Sequence, residues 1–311
     1  MKQRVIYFDG RSVGPLSVDA PGPLRWVARD SNGYLLVGDR GSVVRYDGSG
    51  FVPLKSPTAH NLRCAAFSSR TGIAHLCGNE GIILEVEGDV VRDSGVRARE
   101  NLRRLAWSSA GDELLLVGND GACYVFDGEN LRRVTGAETH LRSIAWNPFR
   151  KMALVTGNCF TDGIGGLSPA PNLFELRGLT LKELATLEES RADLTSSSWH
   201  PDGEQCLIAG FDQTWHTPTL FAYSGGEVQA FDWNEKELFP TACSWSPDGS
   251  FALIGTSAMT SDEGLSCLFR LEGGRLTKVD DLDGFGVSSI AWADDGTALL
   301  ACSRSNRAFT S

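Results

Sequence analysis

Residues 287–303, VSSIAWADDGTALLACS, hold two short apolar strands around an ADDG turn, and no second strand pair follows them. Residues 5–16, VIYFDGRSVGPL, hold two short strands around a DG turn with no pair before them. Between these halves the complete unit recurs six times. Its first half is an apolar strand, a turn and a second apolar strand closing on glycine: LRWVARDSNGYLLVG (24–38), LRCAAFSSRTGIAHLCG (62–78), LRRLAWSSAGDELLLVG (102–118), LRSIAWNPFRKMALVTG (141–157), LTSSSWHPDGEQCLIAG (194–210) and PTACSWSPDGSFALIG (240–255). Its second half is a hairpin turning on glycine, as in VVRYDGSGFVPL (43–54), IILEVEGDVVR (82–92), CYVFDGENLRRV (123–134), LFELRGLTLKEL (173–184), LFAYSGGEVQAF (220–231) and CLFRLEGGRLTKV (267–279).

Four short strands per unit, rich in Val, Leu, Ile and aromatics and punctuated by glycine turns, specify an antiparallel blade. The two orphan halves complete each other. Pairing 5–16 with 287–303 builds a seventh blade and closes the ring, which removes the open edges a radial array would expose. The expected fold is therefore all-β, a seven-bladed β-propeller occupying 1–311 as one domain. Its blades fall near 24–54, 62–92, 102–134, 141–184, 194–231, 241–279, and 287–303 plus 5–16. A helical reading of LKELATLEESRADL (181–194) competes poorly, because LKEL already has a strand register.

The HPDG (200–203) and SPDG (246–249) turns after Trp199 and Trp245, with Tyr46-Asp47 and Phe126-Asp127 one hairpin later in their own units, resemble the divergent WD-repeat-like and TolB-like propellers. The Trp-Asp pair of the strict pattern is replaced and its Gly-His pair is missing. The resemblance implies the architecture and a scaffold role; propellers host many activities, so it does not specify one.

Composition narrows the function classes. The net charge is -10, with 19 Lys+Arg against 17 Asp+Glu in residues 1–150 and 10 against 22 in 151–311, so an overall affinity for phosphate backbones, and hence for nucleic acid, is disfavoured. No run reaches the roughly 18 apolar residues of a membrane helix, and MKQRVIYFDG lacks the order of a signal peptide, so a cytoplasmic protein without a membrane role is expected. The 8 cysteines form no CxxC pair and sit singly in apolar runs, as reduced core residues do.

Three sets of residues recur at aligned positions. Phe67, Trp107, Trp146, Trp199, Trp245 and Trp292 share one, with Arg29 in the first blade. Large residues repeated on a strand pack against the next blade. The residue after each opening position is Arg25, Arg63, Arg103 and Arg142 in blades one to four, then Thr195, Thr241 and Ser288. Four guanidiniums there would form an arc at one mouth of the central channel, fitted to carboxylate or phosphate. The more economical reading is that acids of the adjacent turns, Asp39, Glu80 and Asp120, neutralise them.

The turn after the second strand is tight in blades one to three, GDRG, GNEG and GNDG. In blades four to six it lengthens to GNCFTDGIGGLSPAPN (157–172), GFDQTWHTPT (210–219) and GTSAMTSDEGLS (255–266). Insertions collected on one face of a repeat array mark a binding face, or pack on one another. Phe160, Trp215, His216 and Met259 are its candidate contacts, and Asp162, Asp212 and Asp262 the oxygen donors a cation would need there.

No HExxH, GxSxG or phosphate-loop motif occurs, and no catalytic residue, metal ligand or cofactor is assigned. The expectation is a non-enzymatic, monomeric module that binds a protein or peptide, of acidic character, through the long-loop face and the arginine arc. The alternative is a lactonase-like propeller hydrolase or a small-anion-binding protein with its site at the channel mouth.

Overall fold

The computed structural model describes residues 2–163, 166–184, 192–212, 219–231, 233, 238–258 and 266–304. Within them the chain forms seven four-stranded antiparallel sheets. The first blade, Leu24–Asp30, Gly33–Gly38, Val43–Tyr46 and Phe51–Pro53, has its strands in sequence order, as the next five do. The seventh has the order Val13–Asp19, Lys2–Phe8, Ala298–Arg304, Phe285–Trp292, so the two ends of the chain share one sheet. Val5 pairs with Ala301 and Phe8 with Ala298. The opening strand of each blade touches that of the next, and the last touches the first, which makes the ring closed with opening strands innermost.

Burial follows from that radial order. The second strand, Gly33–Gly38 in blade one, is buried at every position, because both faces of the sheet are covered by neighbouring blades. Leu36 joins the interface with blade seven, while Leu35 and Val37 join that with blade two. One apolar cluster fills each of the seven interfaces between blades. At about 1.5–3 kcal/mol per buried aliphatic or aromatic side chain, these interfaces carry the stability of the ring. Fourth strands such as Val90–Arg97 have one face in solvent and alternate accordingly. All 8 cysteines are buried thiols.

The repeated aromatics bridge blades as expected of packing residues. Trp146 donates its indole N–H to the Ala106 carbonyl at 3.1 Å, Trp199 to Ala145 at 3.0 Å and Trp292 to the Ser244 hydroxyl at 3.0 Å, each reaching the preceding blade. The aspartates of the DG turns are local: Asp47 accepts the backbone N–H groups of Ser49 and Gly50, and Asp127 those of Glu129 and Asn130. Within the helix competitor at 181–194, residues 181–183 and 192–194 are in strands, and 185–191 lie outside the described residues.

Candidate functional site

Every inner strand carries a β-bulge at the same place. Leu24 pairs with Gly38 and Trp26 with Val37, leaving Arg25 as the extra residue; the same register slip falls at Arg63, Arg103, Arg142, Thr195, Thr241 and Ser288 in their strands. A bulge releases one residue from the ladder and re-aims its side chain. Seven aligned bulges therefore collect one side chain per blade at the entrance of the inner strand.

In blades five to seven these side chains are hydroxyls satisfied by carbonyls. Thr195 donates to Thr241 O at 3.3 Å, Thr241 to Val287 O at 2.6 Å and Ser288 to Ala301 O at 3.1 Å. Blades one to four present guanidiniums, each bonded through Nε to the residue that follows the glycine of the adjacent turn. Arg25 meets Asp39, with Nη2 to Oδ2 at 2.6 Å. Arg63 meets Asn79 at 3.2 Å, Arg103 meets Asn119 at 3.0 Å and Arg142 meets Asn158 at 2.8 Å. Arg63 Nη1 also stands 3.5 Å from Asp39 Oδ1, which accepts no hydrogen bond, so this is a contact of charges only. Arg142 Nη1 reaches back to Asn119 at 3.4 Å.

Among the described residues Asp39 is the turn acid that pairs with the arc, and Asp120 acts on Arg142 through its charge without a bond. Glu80 and Asp120 sit at left-handed positions, φ 57° and 54°, with exposed side chains. Their backbone N–H groups are held by the entrance residue of the following blade: Glu80 N–H to Asn101 Oδ1 at 2.8 Å and Asp120 N–H to His140 Nδ1 at 2.9 Å. Arg40 on Asn61 and Cys159 on Asp193 repeat the clamp. It ties each turn to the next blade. The sequence offered a signal in the Asn preceding LRC and LRR, but nothing in it names the acceptor.

Sequence reasoning also missed Arg104. Its guanidinium lies 4.3 Å over the Trp26 ring, and its Nη1 donates to Arg103 O at 2.9 Å. Trp26 belongs to blade one and donates to Ala65 O of blade two, so Arg104 of blade three extends past an intervening blade. Five guanidiniums gather where Asp39 and Asp193 are the nearer carboxylates. Burial first, then the neighbouring guanidiniums of Arg142, Arg63 and Arg104, push Arg103 down to about 9. Arg142 is pushed down to about 10 by burial, against the pull of Asp193. Both stay protonated at neutral pH, with burial of the guanidinium the main cause of each shift. Arg45 is the control. It is equally buried, yet Asp30 at 2.6 Å and Asp89 at 2.7 Å outweigh its desolvation and raise its pKa.

Of the long-loop contacts, Phe160 is partly buried and opens the hairpin Phe160–Gly163 with Gly166–Pro169, pinned by the Thr139 hydroxyl on Asn158 O at 2.7 Å. Trp215, His216 and Met259 lie outside the described residues, as does Asp262. Asp212, read from sequence as a loop residue, ends the strand Cys206–Asp212 and is fully buried. Among the described residues no three His, Cys, Asp or Glu side chains converge as metal ligands, and no helix is long and apolar enough to cross a membrane.

No family model matches the chain, and no curated protein does. Solved structures match in number, 1198 chains, so the fold is too widespread to single out one activity. Among them, a chain in the crystal structure of the mitotic checkpoint complex is similar with a TM-score of 0.68 at 14% sequence identity, over 92% of this chain and 90% of that one. The likeness is one of fold. The seven-bladed β-propeller expected from the sequence is the fold observed.

Proposed function

We propose that the chain is a non-enzymatic binding module that takes an acidic protein or peptide segment across the face where the long turns of blades four to six meet the arginine arc. The observation that supports this is the run of bulge arginines in four consecutive blades, of which Arg103 and Arg142 bond amide oxygens and, among the described residues, no carboxylate. Partly desolvated guanidiniums with planar donor forks bind carboxylate oxygens far better than water-exposed ones, because the low local dielectric strengthens the contact. The rest of the ring mouth, lined by satisfied hydroxyls, sets direction: a bound segment gains charge contacts only over blades one to four.

The test is fluorescence anisotropy with labelled Glu-rich and Lys-rich peptides on the whole chain, alongside an Arg63→Gln, Arg103→Gln double variant. The Glu-rich peptide should bind, weaken as salt is added, and lose its binding in the double variant without loss of melting temperature. Equal binding by the double variant would remove the arc from the site.

A further inference from the structure

The arc carries more positive charge than a carboxylate ligand would match, and its donors are not used up internally. Arg103 bonds through Nε only, and Arg142 through Nε and Nη1. Among the described residues, Nη1 and Nη2 of Arg103 and Nη2 of Arg142 have no acceptor, although Arg103 as a whole is only 8% exposed. Neither set of terminal nitrogens is among the fully enclosed polar atoms of the described residues. Arg63 and Arg104 add charge on the same side, while Asn79, Asn119 and Asn158 stand where a carboxylate would have closed the account.

We infer that the acidic feature read at this site is a phosphate monoester dianion, held by the terminal nitrogens of Arg103 and Arg142 within the field of Arg63 and Arg104. The inference rests on the arc being the binding site proposed above. A carboxylate offers one charge and two oxygens. A phosphoryl group offers about -1.5 to -2 and three acceptor oxygens, which matches the terminal fork of Arg103, Nη2 of Arg142 on the adjacent blade and the positive charge around them. The use of arginine at all four positions, with no lysine, points the same way, since only the guanidinium gives two parallel donors to one group. The depressed values of Arg103 and Arg142 agree with guanidiniums awaiting a counter-ion. The source is either the free ion or a phosphorylated side chain, because both present the same three oxygens.

The experiment is calorimetric titration of the whole chain with inorganic phosphate, with sulfate, and with two peptides that differ only in phosphoserine against glutamate. Wild type is compared with Arg103→Lys and Arg103→Ala, each checked by its thermal melt. Phosphate should bind saturably, and the phosphoserine peptide should tighten as the pH rises through about 6, where its second proton leaves, while sulfate, a dianion throughout, should not change. Arg103→Lys should weaken phosphate about tenfold, and Arg103→Ala about a hundredfold, as loss of one fork and then of the charge requires. Phosphate and phosphoserine peptide binding together supports the inference with a phosphorylated partner. Phosphate binding with neither peptide bound supports it with the free ion as source and overturns the peptide reading. Equal binding of both peptides without saturable phosphate binding overturns the inference and leaves the acidic-peptide reading intact. Phosphate binding that is unchanged in both variants overturns the site, and no binding of any of the four overturns both readings.

Discussion

Arg103 donates its Nε–H to Asn119 Oδ1 at 3.0 Å, in the place where blade one sets Arg25 against the carboxylate of Asp39. The same backbone bulge and the same turn thus build an ion pair in one blade and an unneutralised guanidinium in another. An acid or an amide at this one position decides whether the guanidinium of the blade has a carboxylate partner.

Restoring the acid should reverse that choice. A guanidinium whose folded pKa lies below its unfolded value costs stability at pH 7, and the cost fades only as pH rises above about 9. Asn119→Asp gives Arg103 and Arg142 a shared counter-charge. It should raise stability at pH 7 by about 1 kcal/mol, a melting shift on the order of 2 °C for a chain of this length, and abolish phosphate binding. Thermal melts at pH 7 with and without phosphate check both halves.

Gly121 and Gly88 separate two costs of replacing glycine. Both have left-handed φ, 63° and 57°. A Cβ on Gly121 would overlap the Ala137 carbonyl, whereas one on Gly88 would meet nothing within 4 Å. Gly88→Ala should cost about 1 kcal/mol, the conformational penalty alone, and Gly121→Ala at least about 3 kcal/mol because the turn must leave the next blade. Urea midpoints of the two variants give the comparison.

The tryptophan ring contains its own control. Trp146 spends its N–H on Ala106 O, while the N–H of Trp107 is buried without an acceptor. Trp146→Phe loses a hydrogen bond that Trp107→Phe does not, so it should be the more destabilising by about 1 kcal/mol in chemical denaturation.

His75 should make the ring acid-sensitive. It is 5% exposed, edge-on to Trp107 and Phe126, and burial lowers its pKa from 6.5 to about 4. Glu85, 3.6 Å away and partly exposed, is too distant for a hydrogen bond that would favour the cation. The contribution of neutral His75 is complete above pH 6.5 and declines as pH falls toward about 4, because the unfolded chain takes up the proton first. Wild type should lose about 2 kcal/mol between pH 6.5 and 5, and His75→Leu should lack that share of the loss.

The seven-bladed ring and its closure were legible from the chain alone. Period-2 strands and glycine turns are local signals, and Val5 to Leu16 and Val287 to Ser303 could be matched because each was visibly half of a unit repeated six times. The alignment that stacked Arg25, Arg63, Arg103 and Arg142 was legible for the same reason. Which of them found a counter-charge was not. Asp39 and Asn119 lie 14 and 16 residues from the arginines they hold, Arg63 and Arg142 reach back to the turn of the preceding blade, and Glu80 and Asp120 are tied through their backbone N–H groups to the following one. Arg104 meets Trp26 past an intervening blade. Hydrophobic and turn patterns are written along one strand and survive in the sequence. Charge compensation depends on inverse distance between groups on different strands, and only the closed ring determines those distances.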